Sequence, residues 1–310
     1  MRLDARAAYD LPVATVARAR PVQLAGAAAR RAPAPLLVVA AAFSVQSGAA
    51  VATGLFERAG PIPVVWMRSA FGALVLLALG PRALARARSG PLRWVVALGL
   101  TLAVMNALFY ESIDRIPLGV AVTAEFTGPL AVAVLGSRRL LEFTWVVLAG
   151  AGVVLLGSPT ADVDHVGLGF ALGAGFCWAW YIVFAKRVSA GWPLATGLTL
   201  TLLVAAFALA PLALVLGHDR LASGEVLGVG LAVATLSTVV PYVLELAALR
   251  RLRTSTFGIL MSLEPAVAAL MGALLLSQRL SLAEAVAVML VVVASVGANR
   301  QARGPMPPEA

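Results

Sequence analysis

Four glutamates and one arginine stand within stretches otherwise built of apolar and small residues: Glu111, Glu125, Glu245, Glu264 and Arg68. All six aspartates, by contrast, fall between such stretches or near the chain ends. A charged group out of reach of water faces a cavity or a partner, so it points to function by default. The chemistry open to these residue types is proton exchange and cation binding at the carboxylates. A guanidinium adds two-point capture of an anionic group.

Glu125 is the sharpest case. It lies eight residues past Pro117, about 12 Å along a helix. Ala121 and Gly128 share its face, leaving that side narrow enough for another backbone or a ligand to approach. Pro129 lacks the N–H that would pair with the Glu125 carbonyl. The residue therefore offers a carboxylate and a free carbonyl, which a membrane tolerates only beside a cavity or a partner helix. The competing reading is a structural ion pair or hydrogen bond to a neighbouring helix. Glu264 is followed by Pro265, which frees the carbonyl of Met261. Glu245 is four residues from the end of its stretch, where lining a site and snorkelling to Arg250 or Arg251 carry equal weight. Glu111, at the end of its stretch, is expected to pair with Arg115 or water. Arg68 has a depth comparable to Glu125. Pairing between the two is slightly favoured over a guanidinium left free for a ligand's carboxylate.

Gln46, Ser47, Trp66, Asn106, Tyr110, Trp178, Tyr181 and Tyr242 are further candidates for the wall of a site, Asn106 and Tyr110 sharing one helix face. Aromatic side chains in such stretches are more often packing or interfacial anchors. Pro129, Pro241 and Pro265 are the expected hinges or helix breaks. Gly169 with Gly173 and Ala-Gly-Ala-Gly at 149–152 read as helix-packing features. Several chemistries lack their residues. There is no HExxH motif, no pair of buried aspartates, no histidine within an apolar stretch and no GxxxxGK[ST] phosphate loop. His165 and His218 stand apart in expected outer loops and make no metal site, and Cys177 is the single cysteine. An enzyme is not expected, nor is any metal or cofactor.

The elements that must position these groups follow from composition. The chain of 310 residues is 61% hydrophobic and 13% charged, against about 25% charged in soluble domains. Ten apolar runs are read at 35–56, 61–80, 93–112, 117–137, 142–157, 167–185, 194–216, 226–249, 255–276 and 281–298. Most are long enough to cross a hydrocarbon core of about 30 Å. The expected fold is thus an all-α polytopic membrane protein of ten transmembrane helices. Of the 24 Lys and Arg, 19 fall on one side if the N-terminus is inside. The other side holds Arg58, Arg115, Arg220 and Arg279. Both termini are therefore expected in the cytoplasm. The net charge of +9 records orientation, and nucleic-acid binding is not expected. Residues 1–34 read as a disordered cytoplasmic tail and 299–310 as a second tail.

An internal repeat organises the runs. Glu125 lies six residues after Gly119, and Glu264 six after Gly258. Ser137-Arg-Arg-Leu140 then matches Ser277-Gln-Arg-Leu280. The two halves, 35–157 and 167–298, hold five runs each, so the second half is inverted, and the loop charges reverse accordingly.

The segment PAVAALMGALLLSQRLS resembles the Pro-to-Gly-Glu-Arg signature of the EamA type of the drug/metabolite transporter superfamily, with Gln278 where that signature usually has Glu. PLGVAVTAEFTGPLAVAVLGSRR, LSTVVPYVLELAALRRLRTSTFGILMSLEPAVAAL and SVQSGAAVATGLFERAG resemble its threonine/homoserine exporter branch. The resemblance implies ten helices and a multi-pass exporter of small amino acids in the cytoplasmic (inner) membrane. On this reading Glu125 exchanges a proton for substrate, Arg68 takes the substrate carboxylate and a glutamate its ammonium. The partners are then an amino acid, protons and the lipid bilayer, and a homodimer is compatible with these features. The alternatives are an exporter of other small metabolites or drugs, or a passive facilitator or channel.

Overall fold

The computed structural model describes residues 32–79, 90–135, 140–156, 163–217, 221, 223–249, 251–252 and 254–301. The tail read at 1–34 lies outside these residues except for its last three, as do 302–310 and His218. Regular structure among the described residues is helical: α1 (Ala34–Thr53), α2 (Phe56–Ala59), α3 (Pro61–Leu79), α4 (Leu92–Ile113), α5 (Leu118–Glu125), α6 (Thr127–Leu135), α7 (Leu140–Leu156), α8 (His165–Gly191), α9 (Leu194–Gly217), α10 (Gly224–Ala234), α11 (Val240–Leu249), α12 (Thr254–Met261), α13 (Glu264–Leu276) and α14 (Leu282–Gln301). Among the described residues, seven helical stretches are long and apolar enough to cross a membrane, and three shorter apolar ones accompany them. Large apolar side chains point outward, with Phe207, Val215 and Leu282 each more than three-quarters exposed. The main interior cluster is richest in alanine, with leucine and valine next. An exterior of this kind is stable only against lipid, which takes the place of water around the bundle.

Capping residues set several ends. Asp164 accepts from the N–H groups of Val166 and Gly167, starting α8 at His165. Ser281 and Glu284 form a reciprocal capping box at the start of α14. Gln278 Oε1 accepts from the Leu118 N–H at 3.0 Å, so the residue that departs from the family signature caps α5 from the other half of the chain. Helix α8 runs six residues past the expected end at 185. Lys186 and Arg187, read as loop, are therefore helical. The Trp94 ring lies under the guanidinium groups of Arg187 (5.1 Å) and Arg93 (5.2 Å), an aromatic anchor of the kind found at membrane interfaces.

The packing reads the same from either half. Helix α4 lies on α8, as α1 lies on α11. Helices α5 and α6 lie on α8, as α12 and α13 lie on α1. Helix α3 also packs on α9, α5 on α13, and α7 on α14. Among the described residues, two stretches are broken beside a glutamate. Helix α5 ends at Glu125 and α6 begins at Thr127; α12 ends at Met261 and α13 begins at Glu264.

Of the glycines expected to pack helices, Gly152 meets Ala287 and Val291, and Gly173 meets Leu108. Gly150 and Gly169 face open space instead. The closest crossing is elsewhere, at Gly128 and Gly175. A Cβ on Gly128 would strike the Gly175 carbonyl, and a Cβ on Gly175 would strike the carbonyl of Glu125. Gly175→Ala should therefore destabilise the protein by on the order of 1–3 kcal/mol through overpacking against rigid backbone. The thermal midpoint of the detergent-solubilised protein reads this out, and an unchanged midpoint would contradict the crossing.

Candidate functional site

A proline fixes the position of Arg68. Between α10 and α11 lies a π-helical segment, Thr235–Val239. The Val240 N–H donates to the Thr235 carbonyl, five residues back, and Pro241 has no N–H to give. The carbonyls of Leu236 and Ser237 are thereby stripped of their helical donors. Side chains from the first half supply replacements. Ser44 Oγ on α1 donates to the Leu236 carbonyl at 2.7 Å, and Arg68 Nη2 on α3 donates to the Ser237 carbonyl at 3.1 Å.

The guanidinium makes two more bonds, Nε to Thr238 Oγ1 at 3.3 Å and Nη1 to Asn106 Oδ1 at 3.2 Å. Its carbon sits 5.7 Å from the centroid of the Tyr110 ring. A guanidinium has five N–H donors, so one remains on each Nη. Tyr110 Oη and Ser237 Oγ are buried and without a hydrogen-bond partner among the described residues, and Ser237 Oγ lies against Gly48 of α1. Asn106 and Tyr110 thus meet at Arg68, one helical turn apart as their spacing predicts.

Glu125 stands at the α5–α6 break, 8% exposed. Its carbonyl, deprived of a donor by Pro129, lies over Gly175 of α8, so a partner backbone occupies the face left narrow by Gly128. Phe126, at the break, meets Trp178 edge-on at 5.4 Å. The expected Arg68–Glu125 ion pair does not form; three of the Arg68 donors are turned to Thr238, Asn106 and Ser237. The two charges interact through space. Glu264, at the N-terminus of α13 and 6% exposed, lies in the field of both Glu125 and Glu245. Tyr181 feels Glu245 and Arg68. Arg68 thus lies within electrostatic reach of Glu125 and Tyr181, and Glu245 within reach of Glu264 and Tyr181.

Other candidates lie differently. Tyr181, Tyr242 and Glu245 line one cavity. Gln46 is buried on α1 with Oε1 unpaired among the described residues. Ser47 reaches Met271 Sδ at 3.2 Å. Trp66 is a half-buried part of the core. Glu111 sits apart, in the field of Arg115 and Asp114. Among the described residues no cluster of ligating side chains is placed to hold a metal ion. The sequence reading missed Ser44, Ser237 and Thr238. Its one available signal was Ser237 four residues before Pro241, the residue whose carbonyl a proline frees.

A helical bundle with an apolar exterior and charged side chains in its interior is a multi-pass membrane protein. The chain belongs to the EamA-like transporter family, whose sequence profile matches it twice, over residues 32–158 and 165–300. It is 44% identical over 270 residues to the threonine/homoserine exporter RhtA of Salmonella typhimurium (strain SL1344), covering 86% of this chain and 91% of that protein. It is 43% identical over 275 residues to the threonine/homoserine exporter RhtA of Escherichia coli (strain K12), covering 87% and 92%. A solved crystal structure shares the fold at a TM-score of 0.60 and 21% identity, over 87% of this chain and 97% of that one.

Proposed function

We propose that the protein exports small amino acids of the threonine and homoserine type across the cytoplasmic membrane, by proton antiport with alternating access. The relatives are named as exporters of these substrates. The observation that carries the mechanism is the guanidinium of Arg68, which keeps two of its five donors and lies within electrostatic reach of the buried Glu125. An amino acid presents the complementary pair of charges. Its carboxylate takes the two remaining Nη donors of Arg68 in a forked bond. Its ammonium is balanced by ionised Glu125, with Glu264 opposite. A proton arriving on Glu125 removes that balance and the substrate leaves.

The alternation comes from two inverted five-helix repeats, 35–157 and 167–298, in a ten-helix protein with both termini cytoplasmic. The matched breaks at Glu125 and Glu264, and the packing that reads alike from both halves, support this reading. The freed carbonyls at Pro129, Pro241 and Pro265 mark where the halves bend. In proteoliposomes, a proton gradient should drive labelled threonine against its concentration, and a protonophore should abolish the accumulation. Accumulation that survives the protonophore would rule out proton coupling.

A further inference from the structure

A cavity of about 240 Å3 opens where the C-terminal end of α8 meets the start of α9, flanked by α4 and α11. Its wall includes Leu98, Tyr181, Ser189, Trp192, Tyr242 and Glu245. This is the end of the bundle at which Arg93 and Arg187 enclose Trp94, the side the basic loops mark as cytoplasmic. Such a volume is below the roughly 300 Å3 at which sites for drug-sized ligands begin, so the occupant has only a few heavy atoms.

We infer that this cavity is a binding site for a small primary ammonium group, held by the Glu245 carboxylate and distinct from the Arg68 surface. Three observations carry the assignment. No described basic side chain balances Glu245, and Arg251, an expected partner, donates to the Ala32 carbonyl at 2.7 Å. Two of the cavity's hydroxyls, those of Ser189 and Thr201, have spent their protons on their own helices. Ser189 Oγ donates to the Lys186 carbonyl at 3.0 Å and Thr201 Oγ1 to the Gly197 carbonyl at 2.7 Å. Both oxygens are thus left as acceptors, which an ammonium with three donors and no acceptor requires. The wall also carries three aromatic side chains, Trp192, Tyr181 and Tyr242, among aliphatic ones, and aromatic rings suit a cation.

An amine caught here lies beside Tyr181, which also feels Arg68, so the site hands the substrate inward with its ammonium leading. The transported ligand class rests on the amino-acid reading; the ammonium site itself does not. The test therefore uses a probe without a carboxylate, 1-amino-2-propanol. Full-length protein carrying Ser189→Cys and Cys177→Ala is alkylated with a maleimide in the presence of the amine. The amine should slow alkylation of the new cysteine. Adding Glu245→Gln should raise the concentration needed by at least about tenfold, the loss of a charged hydrogen bond, and Glu245→Asp should restore part of it. Protection that is absent, or equal in the Glu245→Gln protein, would overturn the site. Threonine transport measured in parallel reads the proposed function separately, because protection without transport would keep the site and remove the amino-acid reading.

Discussion

Arg68→Lys should leave the protein folded while reducing threonine transport at least about a hundredfold, equivalent to roughly 3 kcal/mol. The ammonium keeps the positive charge. It cannot keep the geometry. Arg68 spends one N–H each on Thr238, Asn106 and the Ser237 carbonyl, and a planar fork then still presents two donors to a carboxylate. A lysine has three donors on one nitrogen. If it satisfies the freed Ser237 carbonyl it has no forked pair left for substrate, and if it turns to substrate it leaves that carbonyl bare. The defect should appear mainly as a raised KM, since uniform binding is what is lost. Transport within threefold of wild type would place substrate recognition elsewhere.

Glu125→Gln carries the second large effect. Glutamine has the shape of the protonated carboxyl and cannot ionise, so it holds the centre in the state that releases substrate. Threonine transport should fall to the level of protein-free vesicles, whether driven by a proton gradient or by exchange. The thermal midpoint should stay near that of the wild type. Folding survives because the features that fix the α5–α6 break do not involve the carboxylate: Pro129 removes the donor, and Gly128 and Gly175 let α8 cross at contact distance. Activity within twofold of wild type would remove Glu125 from the coupling step.

The helix breaks were legible because their cause is local. A proline four residues past Glu125 and one directly after Glu264 each strip a carbonyl, and both stretches part at those points. The shared face of Asn106 and Tyr110 was legible for the same reason, since helical spacing alone puts them one turn apart. What Arg68 touches was not. Depth along a helix predicts level in the membrane, and Arg68 and Glu125 are indeed close enough to interact. Depth says nothing of the direction in which a side chain points. Arg68 turns instead to Ser237 and Thr238, about 170 residues away in sequence, drawn by a carbonyl that Pro241 has emptied. The length of α8 was missed because Lys186 and Arg187 look like a loop, although helices carry such residues past the apolar zone on snorkelling side chains. Glu284 escaped notice for the opposite reason. Its Ser281-Leu-Ala-Glu284 spacing is a capping box, and the carboxylate serves the start of α14.

The central claim is that this interior binds and carries an amino acid. Counterflow tests it most directly: proteoliposomes loaded with unlabelled threonine or homoserine are diluted into a trace of labelled threonine, with no ion gradient. A carrier should accumulate label transiently above the protein-free control, saturably, and the Arg68→Lys and Glu125→Gln proteins should not. Folded wild-type protein that accumulates no label would contradict the amino-acid assignment. Label that only equilibrates, without overshoot or saturation, would contradict alternating access and make the protein a passive channel.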